Sequence, residues 1–154
     1  MLQLPAMADR PNNIPKQKLR IPPQNTEAES ALLGSIMLRP EAMNEVIDFV
    51  KPESFYSERH RIVFKTMMEL FSKSSPIDLL SLSSRLTEKN MLEQIGGSPF
   101  LAEIVSNVPS STNAKHYAEL VQKKYMMRNL IMAAERISEL GFDDSADLEE
   151  MLDQ

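Results

Sequence analysis

Apolar residues recur at every third or fourth position along most of this chain, which is the spacing of amphipathic helices. The pattern predicts helices that begin near Pro40, Ser57 and Asp78, and a helix stop at Gly96-Gly97. Runs in which apolar and polar residues alternate, which would indicate strands, are nearly absent. The sequence therefore predicts an all-α fold with a compact head of several helices.

The first predicted helix starts at Thr26. Thr26 and Glu29 have the spacing of a capping box, and Asn25 is an alternative cap. Gly34 lies inside this helix, where glycine costs about 1 kcal/mol relative to alanine. The buried face is expected to be a narrow stripe of small residues around Gly34. We therefore expect another helix to cross at Gly34, where a side chain would not fit.

The longest predicted helix runs from Ala114 to Leu140 and is closed by Gly141. It would be roughly 40 Å long, more than a compact head of about 110 residues can cover, so part of it is expected to project. Within residues 126–134, seven of nine residues are apolar. We name one side of this part the apolar stripe, which consists of Met127, Leu130, Ile131, Ala134 and Ile137. Such a surface is expected to contact another chain.

Composition is ordinary for one soluble domain, with 154 residues, 42% apolar residues and 25% charged residues. The chain has no cysteine, which excludes disulfides and thiolate metal sites. No apolar run approaches the length of a membrane span, and the N-terminus lacks the apolar core of a signal peptide. A cytoplasmic protein without membrane contact is expected.

The formal charge of −5 is unevenly distributed, since residues 141–154 hold six acids and no base. An acidic protein is a poor autonomous binder of nucleic acid. The one compact basic cluster is Arg59-His60-Arg61, which is either a solvated helix start or a contact for phosphate. Arg59 and Arg61, together with N-terminal lysines, therefore remain an alternative contact for single-stranded DNA.

No motif of the sequence indicates catalysis. A phosphate-binding loop, a dinucleotide-binding glycine motif and a zinc-protease motif are all missing. The two histidines, His60 and His116, lie in different predicted helices without a second metal ligand at a suitable spacing. The sequence therefore predicts no catalytic, metal or cofactor site in this chain.

Five stretches, taken in order, resemble the N-terminal domain of DnaB-type replicative DNA helicases. They are Pro22 to Glu29 with Leu33-Gly34; Phe55-Tyr56 with His60, Ile62 and Phe64; Pro76 to Leu79; Ile95-Gly96-Gly97 with Phe100-Leu101; and Val108-Pro109 with Asn113, Tyr117 and Arg128. Together they cover residues 22–141, and their order makes the resemblance specific.

The resemblance implies a helical head followed by a helical hairpin, with hairpins that pair between subunits and form a collar on a hexameric ring. It implies that the chain pairs with itself, as a dimer or as a trimer of dimers, and offers a surface to primase or a helicase loader. ATP and Mg would be bound by a C-terminal RecA-like ATPase domain, which this chain lacks. Contact with DNA would be made mainly by the parent hexamer.

Pattern and resemblance together divide the chain into four parts. Residues 1–21 are expected to be a disordered arm, 22–109 the head, 110–141 the first arm of the hairpin, and 142–154 the truncated start of its second helix. The leading hypothesis is a noncatalytic module for assembly and partner docking in an ATP-dependent helicase. The alternatives are a helical domain that binds single-stranded DNA and a stand-alone helical adaptor.

Overall fold

The computed structural model describes residues 20–145 and 147–153. Within these residues the chain forms helices and short 3-10 turns and no strand, so the predicted all-α fold is confirmed. Residues 1–19, which make up most of the predicted arm, lie outside the described residues, as does Gln154. The helices are α1 Thr26–Leu38, α2 Met43–Val46, α3 Glu58–Ser72, α4 Leu79–Glu88, α5 Leu92–Ile95, α6 Gly97–Ser106, α7 Ala114–Phe142 and α8 Leu148–Leu152.

Helix α1 is the centre of the head and packs against α3, α6 and α7. The predicted narrow stripe is wrong, because Leu33 and Met37 are buried together with the small residues. A helix that is apolar on several sides is stable only when other elements cover those sides. Neighbouring helices supply that cover here, which makes α1 the core element of the head.

The predicted capping box at the start of α1 is also wrong. The alternative cap, Asn25, accepts the backbone N–H of Ala28 at 2.9 Å. The carboxylate of Glu29 instead points into the protein and accepts the backbone N–H groups of Tyr56 and Ser57, the second at 3.3 Å. A carboxylate satisfies the unpaired amides at a helix start and favours the positive end of the helix dipole. Glu29 therefore fixes the backbone just before α3, whose N-cap residue Ser57 makes no side-chain capping hydrogen bond.

Gly34 is the point where α6 and the segment after it cross α1. A Cβ atom at this position would lie 2.7 Å from the carbonyl oxygen of Ile104 and closer still to the side chain of Val108. Both distances are too short for carbon contacts. The expected helix crossing at Gly34 is confirmed, and its partner is α6.

Other predicted helix ends have mixed outcomes. Asp78 caps α4 by accepting the N–H of Ser81 at 2.7 Å. Gly96 ends α5 with a φ of 103°, a conformation that favours glycine. Gly141 does not close α7, which continues to Phe142. A Cβ atom at Gly141 would meet nothing within 4 Å, so no tertiary contact forces the helix to stop there.

Candidate assembly surface

The buried part of α7 is confined to its first half, where Ala114, Ala118 and Val121 pack against the head. Beyond Met126, which is 58% exposed, the described residues of the helix contain no fully buried side chain. The sequence indicated that part of this helix would project, and the burial pattern shows that its second half does. A long helix therefore carries its most apolar segment away from the core.

The apolar stripe is open to solvent. Leu130 is 71% exposed and Ile137 is 70% exposed, while Ile131 and Met127 are 44% and 38% exposed. Ala134 is exposed as well. Large apolar side chains at these exposures are costly to leave in water, and contiguous examples mark interaction surfaces.

The angular position of the stripe explains why the head does not cover it. At about 100° per residue, Ala134 and Ile137 lie within about 40° of Leu130 around the helix axis. Val121, which faces the head, lies about 180° from Leu130 by the same count. Leu130, Ala134 and Ile137 therefore face away from the head, which leaves them uncovered, whereas Ile131 lies about 100° from Leu130 and lines a groove beside the head. Another helix or another copy of the chain is needed to cover the outward part of the stripe.

The same side of α7 is polar where the helix runs along the head. Glu119 and Lys123 lie within about 20° of Leu130 around the axis and are exposed. The apolar surface therefore begins at about Met126, where the helix passes the edge of the head. This change from polar to apolar residues along one side of α7 marks where the candidate assembly surface begins, at the edge of the head.

Arg128 holds the junction between α7 and the head. Its guanidinium donates to the carbonyl oxygens of Pro23 at 2.8 Å and Ser54 at 2.9 Å. The same group lies 5.6 Å and 5.8 Å from the ring centres of Tyr56 and Tyr125. A planar guanidinium with two directed hydrogen bonds fixes the segments it joins more strictly than a lysine would. The spacing of apolar residues gave no sign of this role, because Arg128 lies between apolar residues as an ordinary charged helix position.

A groove lies beside this junction, with a volume of about 730 Å³. It runs between the segment before α1, the turn that carries Tyr56, and the head-facing side of α7. Three arginines and two glutamates contribute charge to its walls, and two tyrosines, Ile131 and Met132 contribute apolar surface. The charged residues of the groove are Arg20, Arg61, Arg128, Glu53 and Glu135. Sequence reasoning missed this groove, since its walls come from three separate parts of the chain.

The two arginines proposed as DNA contacts bind different parts of the head. Arg59 donates to the carbonyl oxygen of Ile95 at 3.3 Å, and its guanidinium lies 4.6 Å from the ring centre of Phe100. Arg61 donates to the carbonyl oxygen of Phe55 at 3.1 Å. The N-terminal lysines of that hypothesis lie outside the described residues. The structure therefore does not gather Arg59 and Arg61 into one cationic cluster.

The histidines are not brought together. The ring of His60 is buried, stacks on Phe100 at 5.8 Å between ring centres, and lies 3.6 Å from the carboxylate of Glu29. His116 is exposed on α7, near the ring of Tyr117. No group of three or more potential metal ligands occurs in the part of the chain that the structure describes. Nor does any helix in that part have the length and hydropathy to span a membrane.

Helix α8 follows α7 after a short acidic turn. Asp143 accepts the backbone N–H of Ser145 at 3.0 Å and its hydroxyl at 2.6 Å, and these hydrogen bonds lower the pKa of the Asp143 carboxyl. The apolar side of α8 is open, with Leu148 67% and Leu152 78% exposed. A second amphipathic surface without a partner is therefore present at the end of the described chain.

Comparisons with known proteins agree on one family. The family model described as the DnaB-like helicase N-terminal domain matches residues 21–123. The replicative DNA helicase DnaB of Synechocystis is 40% identical over 134 residues, which is 87% of this chain and 15% of that protein. This chain therefore spans only a small part of the length of that relative.

Solved structures agree with the sequence comparison. The N-terminal domain of DnaB helicase from Mycobacterium tuberculosis aligns with a TM-score of 0.81 at 31% identity, covering 86% of this chain and 94% of that one. A DnaB-like replicative helicase, whose structure was described with its interactions with primase, aligns with a TM-score of 0.67 at 34% identity. That match covers 75% of this chain and 27% of the helicase.

Proposed function

Because this chain belongs to the family of DnaB-like helicase N-terminal domains, we propose that it joins the subunits of a replicative DNA helicase by pairing its apolar stripe with that of a second copy. The observation that carries this proposal is the position of the stripe. Leu130, Ala134 and Ile137 lie on the side of α7 opposite the head, so a second element is needed to bury them. A symmetric pair of such stripes would bury both at once.

The size of the surface predicts a modest affinity for a single pair. Complete burial of a leucine or isoleucine side chain contributes about 1.5–3 kcal/mol, and association costs about 4–15 kcal/mol. The apolar stripe combines the large side chains of Met127, Leu130, Ile131 and Ile137 with the small side chain of Ala134. One pair is therefore expected to be weak, and several pairs in a closed ring would reinforce one another.

The parent protein would supply the chemistry. In this proposal it is an ATP-dependent DNA helicase, and a C-terminal RecA-like domain binds ATP and Mg and moves along the strand. The present chain contributes subunit pairing and the collar of a hexamer built from three dimers, and it contributes no catalytic group. DNA would contact the hexamer mainly through the parent's other domain.

Primase is the proposed outside partner, and a helicase loader is a further one. Support comes from the helicase of known structure whose interactions with primase were described, since 27% of that protein aligns with this chain. Pairing at the stripe leaves the outward surface of the head open, so a collar of heads would present that surface to a partner.

Sedimentation equilibrium of this chain over a wide concentration range tests the pairing. The expected result is a mass that rises from one copy, 17.5 kDa, to two copies with increasing concentration, with a trimer of dimers as the upper limit. A single-copy mass throughout the millimolar range would contradict pairing through the stripe. It would leave family membership untouched, since that rests on sequence and fold.

A further inference from the structure

Three arginines converge on the groove beside the junction of α7 and the head. Arg20, Arg61 and Arg128 line its walls together with Glu53 and Glu135, which leaves an excess of one positive charge. In the part of the chain that the structure describes, none of these residues takes part in an ion pair. The whole chain has 22 acidic and 17 basic residues, so the groove departs from the charge of its surroundings. A positive groove in an acidic protein favours an anionic ligand.

The guanidinium groups are held in place by neutral partners. Arg128 donates to the carbonyl oxygens of Pro23 and Ser54, and Arg61 donates to that of Phe55. Carbonyl oxygens orient a guanidinium group without cancelling its charge. The group also carries more N–H donors than these contacts use. Positive charge and directed donors therefore remain for an anion that enters the groove.

Two aromatic rings border the same groove. Tyr56 and Tyr125 line it, and their ring centres lie 5.6 Å and 5.8 Å from the guanidinium carbon of Arg128. Aromatic faces beside arginines are the surfaces on which proteins stack the bases of single strands and hold their phosphates, without sequence preference. An acidic peptide would be attracted by the arginines, but its carboxylate side chains have no planar base to stack. The rings therefore favour a ligand that carries both a base and a phosphate.

The groove has the size and the openness for such a ligand. Its volume of about 730 Å³ lies in the range of small-molecule sites, roughly 300–1,000 Å³. Its walls are joined to α7 by Arg128 and by the hydroxyl of Ser54, which donates to the side chain of Gln122 at 3.0 Å. None of residues 147–153 lines it, so the acidic α8 does not occupy it in the structure. A ligand therefore finds the site already formed.

From these contacts we propose that the groove of Arg20, Arg61, Arg128, Tyr56 and Tyr125 binds a nucleotide unit. Its phosphate oxygens accept N–H groups of the arginines, and its base lies against a tyrosine ring. A free nucleotide and a segment of a single strand present the same two groups. Binding at this groove goes beyond the pairing of apolar stripes and does not depend on it. One groove with a small charge excess is expected to bind weakly.

The groove also changes the hypothesis for DNA contact that the sequence suggested. Of the two arginines in that hypothesis, Arg61 lines the groove and Arg59 does not. Arg20 is a groove residue, and Lys16 and Lys18 precede it closely in the sequence. The structure therefore joins Arg61 to two arginines that lie far from it along the chain.

An NMR titration of the isotope-labelled chain localises the binding. The probes are a thymidylate hexamer and thymidine monophosphate. Amide signals within residues 20–22, 53–61 and 125–135 are expected to shift, while those of α4 stay in place. An affinity for the hexamer at least fivefold higher than for the monophosphate would identify a single strand as the ligand, and similar affinities would identify a free nucleotide. No shift at the groove with either probe at millimolar concentration would overturn the proposal.

Arg20→Gln tests the phosphate contact, because Arg20 is exposed and precedes α1, so its loss spares the fold. For a single strand, the salt dependence of log affinity is expected to become shallower by about 0.7, the contribution of one phosphate contact. The affinity for either probe is expected to fall about threefold at low salt. The matched control is Arg136→Gln, which removes the same charge at an exposed position of α7 outside the groove. Equal weakening by both variants would show that only net charge acts and would overturn the site.

Tyr125→Leu tests the base contact, since it removes the ring and keeps an apolar wall. The affinity for the probes is expected to fall about tenfold. Tyr117→Leu is the control, because Tyr117 is a half-buried tyrosine of α7 that does not line the groove. Circular dichroism checks the fold, and Tyr56→Leu replaces the variant if Tyr125→Leu does not fold. An abasic hexamer that binds as tightly as the thymidylate hexamer would overturn the assignment of a nucleotide.

Discussion

Leu130→Asp is expected to weaken self-association at least a hundredfold and to leave the head folded. Pairing would place the new carboxylate in an apolar contact without a partner, which costs several kcal/mol, and each 1.4 kcal/mol is a tenfold change in affinity. The head is spared because Leu130 is 71% exposed and is not part of the core. Sedimentation equilibrium measures the affinity, and circular dichroism measures the melting temperature.

Leu80→Asp is the matched control for that variant. It introduces the same side chain at a leucine that is 76% exposed, on α4 of the head and outside the apolar stripe. Its dimer affinity is expected to stay within about twofold of the original. A cooperative melt that disappears together with the dimer in Leu130→Asp would show that the stripe belongs to the fold of the head, and its assignment as a pairing surface would then be wrong.

Gly34→Ala is expected to destabilise the head by about 1–3 kcal/mol, although alanine is the better helix former. The added methyl group would overlap the carbonyl oxygen of Ile104 and the side chain of Val108, so α6 must move away from α1. Denaturant unfolding measures the loss as a lower midpoint at a similar slope.

Gly141→Ala is expected to have the opposite effect and to stabilise the protein. A methyl group there meets nothing within 4 Å, so only the gain in helix propensity remains, about 1 kcal/mol at most. The two variants make the same chemical change in helices that differ in their surroundings. A stabilisation by Gly34→Ala would mean that the crossing at α6 is looser than the structure shows.

Local rules predicted much of this fold. The caps at Asn25 and Asp78 and the stop at Gly96 depend on neighbours within four residues, so the sequence carries their signal directly. The helix crossing at Gly34 could also be predicted, because glycine lowers the stability of a helix. A glycine inside a helix of good helix formers is therefore expected where a neighbouring element packs too closely for a side chain. The length and apolar content of α7 likewise indicated a projecting arm.

Long-range contacts account for what sequence reasoning missed. The Thr26 and Glu29 spacing matches a capping box, but Glu29 accepts the backbone N–H groups of Tyr56 and Ser57, which lie more than 25 residues later in the chain. Arg128 binds carbonyl oxygens 105 and 74 residues away along the chain. The spacing of apolar residues does not identify such distant partners. The groove that they form is seen only in the folded structure. The apolar stripe was found from sequence because its exposure follows from helix geometry alone.

Pulsed electron paramagnetic resonance on a singly labelled chain measures the separation of two paired α7 helices. A nitroxide at Ser138→Cys flanks the apolar stripe without filling it, and with one label per chain only distances between copies are recorded. Pairing through the stripe predicts a distance below about 30 Å, because packed helices lie about 8–10 Å apart. A label at Leu80→Cys is expected to give a clearly longer distance. Dimers by mass in which the Ser138→Cys labels are as far apart as those at Leu80→Cys would contradict pairing through the apolar stripe.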